Sequence, residues 1–146
     1  MQAYRNNGFT LLEVLVVIMI IALMTAITGL NLRGKQGADL DSIGRTLVAD
    51  LRYVRSKALV GSADSAITID VAGQEYFSRD ATINRSLPQE ISIAITVDKH
   101  DIRGTRGHIV FYPDGSSSGG KIRLTKNGRQ LEVVTSWLNG YVTMSW

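Results

Sequence analysis

The sequence predicts an α+β protein: one long N-terminal helix, transmembrane at first and then amphipathic, followed by an antiparallel β domain of about seven strands. Three observations predict it. Residues 9–32 form a run whose only charged member is Glu13, an apolar spacing of three to five continues to Gly61, and from Ala66 the apolar period changes to two. That number of strands calls for two sheets.

The first eight residues, "MQAYRNNG", are polar and end at Gly8, and the apolar run begins sharply at Phe9. About 24 residues rising about 1.5 Å each make a helix of roughly 36 Å, enough to cross a hydrocarbon layer of about 30 Å with some tilt. An ordinary secretory signal has its small-residue cleavage site after the apolar stretch. Here the discontinuity precedes it, so residues 1–8 read as a leader and 9–32 as a membrane and assembly helix. Glu13 is the anomaly in that helix. Thr10 and Glu13 fit the S/T-x-x-E capping box, in which hydroxyl and carboxylate satisfy free amides of a first turn, but that explains neither Gly8 nor Phe9.

Residues 33–61 continue the helix in a different style. Thr28-Gly29 and the "GKQG" stretch at 34–37 weaken it, each glycine costing up to about 1 kcal/mol relative to alanine, and predict a bend or melted turn. Beyond them Leu40, Ile43, Leu47, Leu51, Val54 and Leu59 recur at helical spacing, with Arg45, Arg52, Arg55 and Lys57 falling largely elsewhere on the wheel. The apolar stripe lies on a core, the basic face reads as solvated, and Gly61 closes the helix.

The β domain occupies 62–146. Ile67, Ile69 and Val71 alternate with Thr68 and Asp70, and Ile91, Ile93, Ile95 and Val97 with Ser92, Ala94 and Thr96. Further strands are expected at 75–78, 108–112, 121–126, 129–135 and 141–146. Asn127-Gly128 and Asn139-Gly140 are type I′ turn signals that make the last three a meander, and no helix is needed after Gly61. Between Phe111 and Lys121 lie a Pro-Asp-Gly turn and a flexible Ser/Gly loop.

Catalytic and cofactor chemistry finds little support. With Cys 0 there is no disulfide framework or thiolate nucleophile. "GSSSG", residues 115–119, satisfies G-x-S-x-G with Ser117 as nucleophile, but a strand pattern follows where the elbow needs a helix. His100 and His108 both precede it, against the Ser, Asp, His order, and no ligand spacing marks them as a metal site. "GTRG", 104–107, lacks the helices of a KH loop. The net charge of +3 is scattered rather than clustered, which argues against a nucleic-acid tract.

The combination of a short polar leader, Gly8-Phe9-Thr10-Leu11-Leu12-Glu13 and a long apolar helix resembles the class III signal of type IV pilins and type II secretion pseudopilins. The resemblance implies cleavage by prepilin peptidase between Gly8 and Phe9, N-methylation of Phe9, and a part for Glu13 in filament assembly. A carboxylate at membrane depth costs a few kcal/mol, and an ion pair at about 4 Å gains about 4 kcal/mol at an effective dielectric of 20. The two nearly cancel. Glu13 is therefore tolerable beside the Phe9 amine, a neighbouring subunit's or, one helical turn away, its own.

The stretches "FYPDGSSSGGKIRL" and "TSWLNGYV" further resemble the minor pseudopilin H family of type II secretion, whose domain is shared with the fimbrial T group of type IV pili. That resemblance implies a pilin-like fold and a non-enzymatic subunit without cofactor or metal. It would be single-pass in the inner membrane with a periplasmic domain, assembled into the pseudopilus. It also implies a place near the pseudopilus tip, joining the minor pseudopilins I, J and K to the major pseudopilin G and supporting export of folded proteins across the outer membrane. The loop Tyr112-Pro113-Asp114-Gly115-Ser116-Ser117-Ser118-Gly119-Gly120 is the candidate partner surface. The alternative is a T-group minor pilin binding DNA during uptake. Such pilins tend to end in a Gly-Arg-rich tail, whereas the matching stretch here, Asn139-Gly140-Tyr141-Val142, has no arginine.

Overall fold

The computed structural model describes residues 11–33 and 35–146, with side chains over 11–22 and from 40 onward. The leader 1–8, the Gly8–Phe9 junction and Gly34 lie outside the described residues. The chain divides into two compact units, one ending at Ala38 and one comprising Asp39–Trp146.

In the first unit, helix α1 spans Leu11–Arg33 with Glu13 in its first turn. All its described side chains are exposed, and apart from Glu13 those of residues 11–22 are apolar on every side. Among the described residues no helix is long and apolar enough to cross a membrane. The expected span 9–32 extends past the described side chains of α1 at both ends. Helix α2, Lys35–Gly61, begins within the glycine-weakened stretch at 34–37.

From Asp39 onward α2 folds with the strands. Leu40, Leu47, Leu51, Val54 and Ala58 are buried, and Ile43 packs against the same core. Leu59, expected on this stripe, is instead 40% exposed. Ala58 lies four residues after Val54 and keeps the stripe, whereas Leu59 is rotated a further 100° or so around the helix. Gly61 is the last helical residue, but the left-handed turn that ends the helix falls on Ser62, at φ 50°.

Nine strands follow: β1 Ser65–Asp70, β2 Glu75–Ser78, β3 Asn84–Ser86, β4 Ser92–Thr96, β5 Ile102–Arg103, β6 Arg106–Phe111, β7 Gly120–Lys126, β8 Arg129–Thr135 and β9 Val142–Ser145. Sheet A has the order β3-β2-β1-β6-β5 and sheet B the order β4-β7-β8-β9, and every pairing is antiparallel. The two strands beyond the expected seven are β3 and β5, three and two residues long, too short to show a period. A single 3₁₀ turn, Lys99–Asp101, also interrupts the all-β reading, its first amides capped by the Asp98 carboxylate, which accepts from His100 N at 3.1 Å.

Asn127 and Gly128 both have positive φ, 50° and 78°, as a type I′ hairpin between β7 and β8 requires. The same expectation fails at Asn139-Gly140, where only Gly140 is left-handed, at φ 61°. There residues 136–141 form a wider loop, closed by Ser136 N donating to Tyr141 O and Gly140 N to Ser136 O, each at 2.9 Å. The Asn139 side chain accepts from Tyr141 N at 3.1 Å, which stabilises this local turn in place of the tight hairpin.

One core joins the elements. Ile67, Ile69, Ile109 and Phe111 of sheet A, Ile122, Leu124 and Leu131 of sheet B, and Leu51 of α2 are fully buried within it. Each such side chain stabilises the fold by about 1.5–3 kcal/mol. Glycines allow the closest approaches: a Cβ on Gly107 of β6 would lie 2.8 Å from Ile95 Cγ2 of β4, so the two sheets touch there.

Candidate functional site

The described part of α1 offers an exposed apolar surface. Leu11, Leu12, Leu15, Ile18 and Met19 are each more than 60% exposed, and no face is polar. A helix apolar all round is made for lipid or for other helices. Glu13 stands in the first turn, where the partial positive charge of a helix N-terminus favours a carboxylate.

In the second unit the loop at 112–120 leaves β6 after Phe111. Only Tyr112, Pro113 and Asp114 are exposed; Gly115, Ser117 and Gly119 are buried, and Ser116, Ser118 and Gly120 are intermediate. The stretch spelled as a flexible Ser/Gly linker is stapled instead. Ser117 N donates to Trp137 O at 2.9 Å, and its hydroxyl donates to Ser136 O at 2.9 Å while accepting from Gly119 N at 3.0 Å. Ser118 exchanges bonds with Val110 of β6, donating N to O at 2.8 Å and accepting Val110 N on its hydroxyl at 3.1 Å. Asp114 accepts from the Ser116 hydroxyl at 2.6 Å and the Ser116 amide at 2.9 Å, which hold its carboxyl below its ordinary 3.8. The Ser117 hydroxyl is thus a structural joint.

The staple brings 112–120 against 136–141, and Arg55 of α2 pins the pair. Its Nε donates to Asn139 O at 3.2 Å and to Gly115 O at 3.4 Å, and its guanidinium lies 5.1 Å from the centre of the Tyr141 ring. Gly140 fits because it has no side chain: a Cβ there would lie 2.6 Å from Gly115 O and 2.9 Å from Arg55 Nε. This joined loop pair carries Trp137, 69% exposed, Leu138, 65%, and Tyr141, 62%, with Leu59 of α2 against Gly115. Large exposed apolar side chains on one joined loop pair make it a candidate contact surface. Sequence reasoning singles out 112–120 and leaves Trp137, Leu138 and Tyr141 as strand or turn. The available signal is a tryptophan and a leucine placed just before Asn-Gly, where strand alternation stops.

A second joint ties α2 to sheet A. Asp50, 8% exposed, accepts from the Tyr76 hydroxyl at 2.9 Å and from Arg85 Nε at 2.8 Å. Burial, reinforced by the carboxylate, pushes the Tyr76 hydroxyl far above its ordinary 10.0. Among the described residues no three His, Cys, Asp or Glu side chains cluster so as to hold a metal ion.

Against this geometry, residues 4–29 match the family model for the prokaryotic N-terminal methylation motif, and residues 44–139 match that of the type II transport protein GspH. The type II secretion system protein H of Xanthomonas campestris pv. campestris is 32% identical over 138 residues, spanning 93% of this chain and 81% of that one. The protein H of Aeromonas hydrophila is 30% identical over 82 residues, 56% of this chain and 45% of its own. Among solved structures, the minor pseudopilin EpsH from the type 2 secretion system of Vibrio cholerae superposes with a TM-score of 0.59 at 12% identity, covering 73% of this chain and 96% of its own. The type IV minor pilin FimU of Pseudomonas aeruginosa does so with a TM-score of 0.55 at 16% identity, covering 75% and 90%. At those identities the two structures establish a shared pilin-like fold.

Proposed function

Because the chain belongs to the type II transport protein GspH family, a family of minor pseudopilins that associate with other pseudopilins, we propose that it sits near the tip of a pseudopilus. There it links the minor pseudopilins I, J and K to the major pseudopilin G and supports export of folded proteins across the outer membrane. One observation carries this reading: a methylation motif over 4–29 and a GspH domain over 44–139 on a single chain.

In this account prepilin peptidase cuts between Gly8 and Phe9 and the new Phe9 amine is methylated. Residues 9–32 hold the subunit in the inner membrane, with the domain in the periplasm, until it enters the filament. The all-round apolar surface of α1 over residues 11–22 then exchanges lipid for neighbouring helices at little cost, since lipid tails and leucine side chains are equally apolar. Position along the helix must come from something else. Glu13 supplies it, pairing with a neighbour's Phe9 amine, so that a helix out of register leaves a carboxylate without its ammonium. The 112–120 and 136–141 loop pair meets the adjoining subunit.

Co-expressed with prepilin peptidase and its sister pseudopilins, the mature chain should begin at methylated Phe9 by mass spectrometry. Glu13→Ala should be cleaved normally yet fail to incorporate. Incorporation at the wild-type level would remove the carboxylate from the mechanism. Salt-dependent DNA binding without any pseudopilin complex would replace the whole reading with that of a DNA-binding pilin.

A further inference from the structure

Independently of assembly, the outer face of sheet A holds a groove of about 380 Å³. Ala66 and Thr68 of β1, Phe77 of β2 and Val110 of β6 line it, and around them stand Arg79, His100, Asp101, Arg103 and His108. In the sequence no ligand spacing links the two histidines; the fold puts both on this groove. Thr68 and His108 face each other across the β1–β6 ladder and share a hydrogen bond of 2.9 Å between Oγ1 and Nδ1.

The charges here are unusual for this domain. Arg45, Arg85, Arg106 and Arg123 pair with carboxylates, Arg52 and Arg55 bond backbone carbonyls, and Arg129 lies over the Trp146 ring. Among the described side chains, from residue 40 onward, only the guanidiniums of Arg79 and Arg103 have no such partner, and both line the same groove. The nearest acid in sequence to Arg79, Asp80, is already bonded by Ser78, Thr82 and Lys57. Both arginines lie close enough to His108 to act with burial, the larger cause, in lowering its pKa below 6.5.

We propose that this groove binds the carboxylate of an acidic but otherwise apolar peptide segment of a partner protein, held by Arg79 and Arg103 with its neighbours on Ala66, Phe77 and Val110. A guanidinium is the side chain best matched to a carboxylate, offering two parallel N–H donors. The groove is several times larger than a simple inorganic anion, and its lining includes methyl groups and a ring, so its occupant has an apolar body. Asp101 in the same groove disfavours a dianion or a polyanion, which separates a carboxylate peptide from phosphate and from nucleic acid.

The test follows the His108 imidazole resonances of the full chain in detergent micelles during titration with N-acetyl-Val-Val-Glu-Val-Val-amide. A saturable shift is expected that weakens with added salt. Arg79→Gln with Arg103→Gln should weaken binding by roughly tenfold or more, while Arg123→Gln, an arginine of sheet B, should leave it unchanged. Both changed arginines are exposed, and an unaltered Tm would establish that the fold is kept. Equal binding of the peptide with glutamine in place of glutamate would overturn the proposal. So would displacement by equimolar inorganic phosphate, or tighter arginine-dependent binding of duplex DNA than of the peptide.

Discussion

Gly44 of α2 faces Leu131 of β8 so closely that a Cβ on the glycine would lie 2.7 Å from Leu131 Cδ2, with Met144 Sδ at 3.0 Å. Helix and sheet B meet there without an intervening side chain. Two effects oppose each other in Gly44→Ala. Helix propensity favours alanine by about 1 kcal/mol, and overpacking a filled core costs about 1–3 kcal/mol. Leu131 is fully buried and cannot swing aside, so the net is a loss of about 1 kcal/mol, read by denaturant unfolding. Leu131→Ala alone should cost about 2–5 kcal/mol. Adding Gly44→Ala to it should cost nothing further or restore stability, a coupling that an effect confined to the helix would not produce.

The Asp50–Tyr76 joint gives a pH-dependent prediction. Tyr76→Phe removes a hydrogen bond to a charged acceptor and should cost about 2 kcal/mol at neutral pH. Tyr76 holds its proton more tightly folded than unfolded, so its contribution is complete below the unfolded value near 10.0 and is lost as pH rises beyond it. Wild-type stability should therefore fall more steeply above pH 10 than that of Tyr76→Phe, and the two curves should converge. Parallel curves would mean that the hydroxyl does not carry the joint.

How far the fold could be read in advance follows from where periodicity is strong. Buried alternation marked β1 and β4, and helical spacing marked Leu47, Leu51 and Val54, because a one-residue slip would turn each set toward water. β3 and β5 left no such trace, being too short and exposed along their whole length. The loop at 112–120 was legible as a connection, but its stapling was not. Ser and Gly promise freedom only until something else supplies partners, and the carbonyls of Ser136 and Trp137 lie some twenty residues on. The arginines split the same way. Local sequence marked a solvated helix face for Arg55, and its bonds to Gly115 and Asn139 appear only once loops 60 and 84 residues away are assembled.

The end of α2 offers a stabilising substitution. Ser62 takes the left-handed conformation, φ 50°, that glycine adopts without strain, immediately after a glycine that occupies an ordinary helical position. Helix termination and conformation are thus one residue out of step. Ser62→Gly should raise stability by about 0.5–1 kcal/mol. Gly61→Ala should also stabilise, since a Cβ there meets nothing within 4 Å. Thermal unfolding of the single and double variants checks both, with additive gains expected from independent effects.

The Arg55 pin separates folding from assembly. Arg55→Ala removes two long hydrogen bonds and a ring contact at a partly exposed site, a loss of about 1 kcal/mol. Gly140→Ala should cost more, since it combines a left-handed φ of 61° with a Cβ only 2.6 Å from Gly115 O. Both should speed amide exchange at Gly115, Ser117 and Gly140, and together they should cost less than the sum because they open one joint. Gly44→Ala, on the opposite part of the helix and of similar cost to Arg55→Ala, serves as the control matched in stability. If the Trp137, Leu138 and Tyr141 platform is what a neighbouring pseudopilin touches, Arg55→Ala should lower incorporation well below that of Gly44→Ala. Equal incorporation would mean that the platform's geometry matters to the domain alone.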